Sequence, residues 1–131
     1  MASIVAQIDA PDEVRSLIFR AGGRVYACDV EAVREVVPFG LVTRLPGAPQ
    51  FVRGLINVRG TIVTVIDAGA YLHGRPCGGN GMVMLVDMGR QDVGLLVSAV
   101  ANVRSLRDDE GYEPLDVRAL VARVVVTMEE E

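Results

Sequence analysis

The residues that could do covalent or acid–base chemistry in this chain are few and poorly spaced. His73 is the single histidine. It stands at the predicted end of a short helix, where a cation interacts favourably with the terminal carbonyls. A catalytic histidine needs partners at hydrogen-bond reach, and the spacing offers none. Ser98 lies in the apolar run Leu95-Leu96-Val97-Ser98-Ala99-Val100, without the flanking glycines of a nucleophile elbow, and His73 precedes it, opposite to the hydrolase order. Gly78-Gly79-Asn80-Gly81 could cradle a phosphate in backbone amides, but a strand pattern follows it rather than a helix, so it reads as a linker. Asp108, Asp109 and Glu110 lack calcium-loop spacing and read as a solvated loop. Cys28 and Cys77 have no metal-type spacing and read as free thiols, Cys28 packing mid-strand as a small hydrophobe. The spacing therefore predicts no catalytic residue, no metal site and no cofactor. Glu35 and Arg59, taken on residue type alone, are ordinary surface charges.

The elements that position these groups are mostly strands. Phe51 to Asp67 reads as two apolar arms folded back at Arg59-Gly60, the second arm almost wholly β-branched and suited to a pleated surface. Gly60 supplies the positive φ of a tight turn, and Gly54, inside the first arm, marks a bulge or a close backbone approach. Asn57 and Arg59 are the polar exceptions, presented at the turn. Asp67 caps a short helix, Ala68 to His73, that stops at Gly74. Upstream, Leu17–Ala21 and Arg24–Val30 form a hairpin closed by Gly22-Gly23. Val30, Val33, Val36 and Val37 then fall on one face at helical spacing, which predicts a short amphipathic helix ended by Pro38 and Gly40. Leu41–Leu45 reads as a short strand and Pro46-Gly47-Ala48-Pro49 as a turn. Downstream, Met82–Met88 and Asp92–Val100 form a second hairpin, and a further strand runs to Leu106. Asp116 caps a C-terminal helix with Leu120, Val121, Val124 and Val125 on one stripe. Met1 to Glu13 reads as a loose arm.

At 131 residues the chain fits one domain, with half of its residues hydrophobic and 5% aromatic, so Val, Leu, Ile and Ala must build the core. A net charge of −4 argues against nucleic acid as a partner, because phosphates need a basic face. All 13 basic residues are arginine, which excludes a Walker-type phosphate loop. No secretory signal and no apolar run near the ~20 residues of a membrane helix are present, which predicts a cytoplasmic chain that does not insert in a membrane.

Gly54-Leu55-Ile56-Asn57-Val58-Arg59-Gly60, followed by Val65-Ile66-Asp67 and a short helix, resembles the signature of the CheW family, the adaptors of bacterial chemotaxis-type signalling. Val30 to Val37 and Val93-Gly94-Leu95-Leu96-Val97 resemble further family segments in the right order. The resemblance implies an all-β fold of two small SH3-like β-barrel subdomains with short helices. It divides the chain into a first subdomain at about 14–74, a linker at 74–81, a second subdomain at about 82–115 and a C-terminal helix at 116–128. It also implies a non-catalytic adaptor that couples a CheA-type histidine kinase, through its regulatory domain, to the cytoplasmic tip of methyl-accepting chemoreceptors in two-component signal transduction. Carried onto matching positions, the kinase contact would use Val33, Glu35, Gly54 and Arg59, with the Arg59 guanidinium forked on the Glu35 carboxylate. The receptor tip would meet an apolar groove at Val83, Leu85, Leu95, Val97 and Val100.

One departure stands out. The family places a further strand-turn-strand between the acidic loop and the last helix, and here only Arg107 to Pro114 fills that space. The resemblance therefore implies an incomplete second barrel, in which Ala101–Leu106 exposes an unpaired strand edge that favours weak self-association as a homodimer. Two rival readings are a stand-alone regulatory β-domain binding a small molecule or another signalling protein, and a redox enzyme using Cys28 or Cys77.

Overall fold

The computed structural model describes residues 15–77, 81–101, 104–105 and 112–129. The first arm of the chain, the glycine-rich stretch at 78–80 and the acidic run at 106–110 lie outside them. Strands β1 (Arg15–Ala21) and β2 (Arg24–Asp29) form the predicted hairpin, pairing Leu17 with Cys28 and Phe19 with Tyr26. Asp29 then accepts the Glu31 amide at 2.9 Å and caps a single 3-10 turn, Val30–Ala32.

The amphipathic helix predicted over Val30–Val37 goes no further than that turn. Val33–Pro38 is a strand, β3. Its pairing slips by one residue between Val33 and Glu35, with Val33 opposite Val86 and Glu35 opposite Leu85. The bulge breaks period-2 alternation, so Val33, Glu35 and Val36 are buried together while Arg34 points out. That spacing imitates a helix in the sequence; β-branched valines against a neighbouring strand decide the outcome. Leu41–Leu45 is likewise not a strand. It is a strap held by one antiparallel bridge, in which Thr43 and Leu55 exchange amide–carbonyl bonds at 2.8 Å each.

Strands β4 (Val52–Val58) and β5 (Thr61–Asp67) are the signature hairpin, and helix α1 (Ala68–His73) follows. Asp67 accepts the Ala70 amide at 3.0 Å as the N-cap, and Gly74 closes the helix at φ 67°. Strands β6 (Met82–Asp87) and β7 (Asp92–Val97) form the second hairpin. After a bend at Ser98, the chain crosses into the other sheet as β8 (Ala99–Val100) and β9 (Arg104–Ser105), both paired with β1. Strand β10 (Glu113–Pro114), a two-residue parallel partner of β2, carries no strand pattern in its residues. Helix α2 (Val117–Glu129) follows, with the Ala119 amide bonded to Asp116 at 3.0 Å.

The described residues are mostly β, in two five-stranded sheets. One has the order β10-β2-β1-β8, with β9 also on β1; the other runs β3-β6-β7-β5-β4. Each sheet takes strands from both sides of the 74–81 segment. One core joins them: Leu17, Phe19 and Tyr26 from the first sheet, Val36, Ile56, Val65, Met84 and Leu95 from the second, and Val117, Leu120, Val121 and Val124 from α2. Arg118 fastens the helix by donating to the backbone carbonyls of Asp87 at 2.9 Å and Glu31 at 3.0 Å.

Candidate functional site

The tip of the β4–β5 hairpin is tightly constrained. Arg59 has φ 49° and Gly60 φ 88°, so both turn residues are left-handed, as a two-residue hairpin matched to strand twist requires. Glycine takes that conformation without strain, whereas arginine rarely does. Asn57 Oδ1 accepts the Gly60 amide at 2.7 Å and pins the turn from inside. Glu35 meets this tip from β3. Its bulge aims a carboxylate, 8% exposed as a residue, towards Arg59. The Arg59 Nη2 donates to Oε1 at 3.1 Å and lies 2.7 Å from Oε2. The second contact is ionic only; Oε2 is buried and has no aligned donor.

The predicted pair therefore forms, but not as a two-nitrogen fork. One guanidinium nitrogen serves both carboxylate oxygens. The Arg59 side chain stays 66% exposed, and its other nitrogens make no described contact. A cation on a strained, pinned turn is held from below by a buried acid and turned outward. Such a group can receive a carboxylate or carbonyl from outside with little loss of its own freedom.

Gly54 supports the same region. Its φ is 136°, and the β4–β5 pairing slips between Val52 and Gly54. A Cβ there would stand 2.2 Å from the Thr43 carbonyl oxygen. Both sequence alternatives for this glycine, a bulge and a close approach, are realised at once. Val33 is 1% exposed and packs in the core. Of the four kinase-side candidates, Glu35 and Arg59 come together, Gly54 seats the strap beside their hairpin, and Val33 lies beneath.

The five candidates for an apolar groove are placed differently. Val83, Leu85, Leu95 and Val97 are 2% exposed or less, and all four belong to the core. Val100, half-buried on β8, is the one with appreciable surface. Strands β6 and β7 lie inside a five-stranded sheet and are covered on both faces, so their sequence is continuously apolar and does not reveal an outward side.

Sequence reasoning found Asp67 as a cap and missed the rest of its role. The carboxylate is fully buried and accepts the Cys77 amide at 3.1 and 3.0 Å. Arg53 Nη1 reaches it at 3.1 Å, also donates to the Cys77 carbonyl at 3.3 Å, and its guanidinium lies over the Phe39 ring at 5.3 Å. This hub ties the hairpin to Phe39 and to the segment before residue 78. Nothing local marks this hub in the sequence, because Arg53 and Asp67 are fourteen residues apart.

The thiols are ill suited to redox chemistry. Burial pushes Cys28 up to about 12, assisted by the charge of Asp29. Burial also raises Cys77, whose Sγ donates to the Leu96 carbonyl at 3.5 Å. Thiolate is the reactive form, and both sites suppress it. His73 Nε2 and the Tyr26 hydroxyl share a hydrogen bond, and the two rings stack with centroids 5.9 Å apart. Among the described residues no three His, Cys, Asp or Glu side chains group as metal ligands, and no helix is long and apolar enough to cross a membrane.

Comparison with known proteins agrees with this geometry. Residues 15–130 match the CheW-like domain family model. The chain is similar to the chemotaxis protein CheW of Klebsiella aerogenes, 33% identical over 96 residues, covering 72% of this chain and 58% of that protein. It is similar to a probable chemotaxis protein CheW of Rhizobium etli, 32% identical over 98 residues, 72% of this chain and 63% of that one. The aligned part thus spans about three-fifths of the length of these relatives. Among solved structures, the scaffolding protein TtCheW of Thermoanaerobacter tengcongensis superposes with a TM-score of 0.64 at 30% identity, covering 74% of this chain and 68% of that one. A β-hairpin with its arginine pinned outward, two interleaved sheets and a family match over nearly the whole described chain lead to one conclusion: the chain belongs to the CheW-like domain family.

Proposed function

We propose that this protein is a non-catalytic cytoplasmic adaptor that joins the regulatory domain of a CheA-type histidine kinase to the cytoplasmic tip of methyl-accepting chemoreceptors. The observation that carries the kinase side is the Arg59 guanidinium, 66% exposed on a left-handed turn and anchored by the buried Glu35 carboxylate. Arg59 makes the contact, Glu35 orients it, and Gly54 and Val33 keep the supporting backbone in place. On the receptor side, Val100 is the surface contact, and Val83, Leu85, Leu95 and Val97 hold the β6–β7 sheet behind it. Family membership supports both halves of this reading.

A double-mutant cycle tests the kinase contact. Titration of the kinase regulatory domain with Arg59→Glu or Glu35→Arg should show binding weakened tenfold or more, and the double swap should regain part of it. A coupling of up to about 1 kcal/mol is expected for an ion pair whose arginine is this exposed. Coupling indistinguishable from zero would refute the shared role of the two residues.

A further inference from the structure

The second sheet runs β3-β6-β7-β5-β4, so β3 and β4 are its two edges, and among the described residues no ladder joins them. Two side-chain contacts cross this seam instead. At the hairpin tip, Arg59 reaches Glu35. At the other end of β4, the Arg53 guanidinium lies over the Phe39 ring, 5.3 Å from its centroid. Each arginine comes from β4 or the turn after it, and each partner from β3 or the residue just past it. The order is antiparallel: moving up β3 from Glu35 to Phe39 means moving back along β4 from Arg59 to Arg53.

One unbroken stretch of backbone carries both partners. Glu35 stands opposite Leu85 and Pro38 opposite Met82, in a single register on β6. The Phe39 amide adds a rung by donating to the Gly81 carbonyl at 3.3 Å. Side chains alternate along such a stretch, so Glu35 and Phe39, four residues apart, leave the same face. The register slip in β3 lies before Glu35. A displacement of the strand at Phe39 therefore reaches Glu35 with no bulge between them to absorb it.

Arg53 is the fixed side of its contact. The β4–β5 register slips between Val52 and Gly54, so Arg53 is the extra residue, and a bulge re-aims the side chain it carries. Its Nη1 donates to the buried Asp67 carboxylate at 3.1 Å and to the Cys77 carbonyl at 3.3 Å. The side chain is 24% exposed, against 66% for Arg59. A guanidinium held by two acceptors presents a flat cationic face, and an aromatic ring stacks on such a face.

We infer that Arg53 is a positioning residue for the Arg59 contact: stacked on Phe39, it closes the seam between the two edge strands and keeps Glu35 within reach of Arg59. The inference rests on the kinase reading above for what Arg59 touches; the closure itself concerns this chain alone. Without the stack on Phe39, β3 is free to part from β4 at one end, and the Glu35 carboxylate withdraws from the turn. Arg59 then loses its anchor and must be ordered at the moment of binding, which weakens the contact.

Phe39→Leu removes the ring, keeps an apolar side chain and leaves the Arg53–Asp67–Cys77 contacts untouched; Phe39→Tyr restores a ring. Two readouts separate positioning from bulk stability. In nitrogen NMR of the arginine side chains, a guanidinium held by a carboxylate rotates slowly. Arg59 should rotate freely in Phe39→Leu, as in Glu35→Gln, and stay held in Phe39→Tyr and in the control Arg123→Gln, exposed on α2. In titration of the kinase regulatory domain, Phe39→Leu should raise Kd about fivefold, as loss of one cation–π contact does. Phe39→Tyr should restore affinity, and Phe39→Leu should add nothing in a Glu35→Gln background. Arg53→Lys keeps a cation for Asp67 but not a flat one, and should match Phe39→Leu in both readouts. It carries the same tests if circular dichroism shows Phe39→Leu unfolded. Arg59 still held in a folded variant without the stack, or an equal loss of affinity with and without Glu35, would overturn the positioning role. If the parent chain does not bind the kinase domain, the kinase reading fails, and the NMR result alone then upholds or overturns the positioning role.

Discussion

At the scale of single residues, Gly54 carries the largest structural burden. It has a left-handed φ, and its missing Cβ makes room for the Thr43 carbonyl. Gly54→Ala meets both backbone strain and a backbone clash, and should cost about 3 kcal/mol of stability, read by denaturant unfolding. It should also lift the strap and weaken kinase binding more than the stability loss alone explains. A variant as stable as the parent would show that the strap can move aside freely. The thiols make a second residue-scale prediction. With Cys28 held near 12 and Cys77 raised by burial, neither should react with a thiol reagent at pH 8 until the fold opens. Modification at the rate of a free cysteine would contradict the burial that defines both sites.

At the scale of elements, the lesson concerns bulges. The β4–β5 hairpin, the Asp67 cap, Gly74 and helix α2 were all legible, because each rests on a local rule: turn glycines, capping side chains and a single apolar stripe. Strand β3 was misread as helix because one extra residue at Arg34 shifts its inward valines to helical spacing. No window of local sequence contains β6, the partner that settles the matter. The Glu35–Arg59 pair is legible only through family likeness, and its one-nitrogen geometry and the left-handed turn that carries it are not stated by the sequence. The Arg53–Asp67–Cys77 hub and the pairing of β10 with β2 join distant segments and left no local mark. Helix α2 offers a test at this scale. Leu120 is 5% exposed in the shared core, so Leu120→Ala should destabilise the protein by about 3 kcal/mol. Arg118→Ala, which frees an exposed clip on two carbonyls, should cost only about 1 kcal/mol. Equal losses would mean that α2 is held more by its clip than by its apolar stripe.

At the scale of the whole molecule, two interleaved sheets share one core, and a polar cluster closes the edge where β3, the β6–β7 turn and α2 meet. Arg34 binds Asp87 at 3.1 Å and Asp92 at 3.0 Å, and Asp87 also accepts the Gly89 amide. The Gly89 N–H, then Arg34 and Arg118, hold the Asp87 carboxyl below its ordinary range. A depressed carboxyl pKa adds stability that is present above the unfolded value and lost as pH falls through the folded one. Thermal stability should therefore begin to fall below about pH 4, less steeply in Asp87→Asn. Identical profiles for the two proteins would remove Asp87 from the account. In the proposed role, this chain transmits receptor state to a kinase without chemistry of its own. The direct measurement is kinase autophosphorylation on vesicles bearing methyl-accepting receptors, with and without the chain. Kinase activity should come under receptor-ligand control only when the chain is present, Arg59→Glu should abolish this control, and the chain alone should turn over no ATP. Full receptor control without the chain, or ATP turnover by the chain alone, would contradict it.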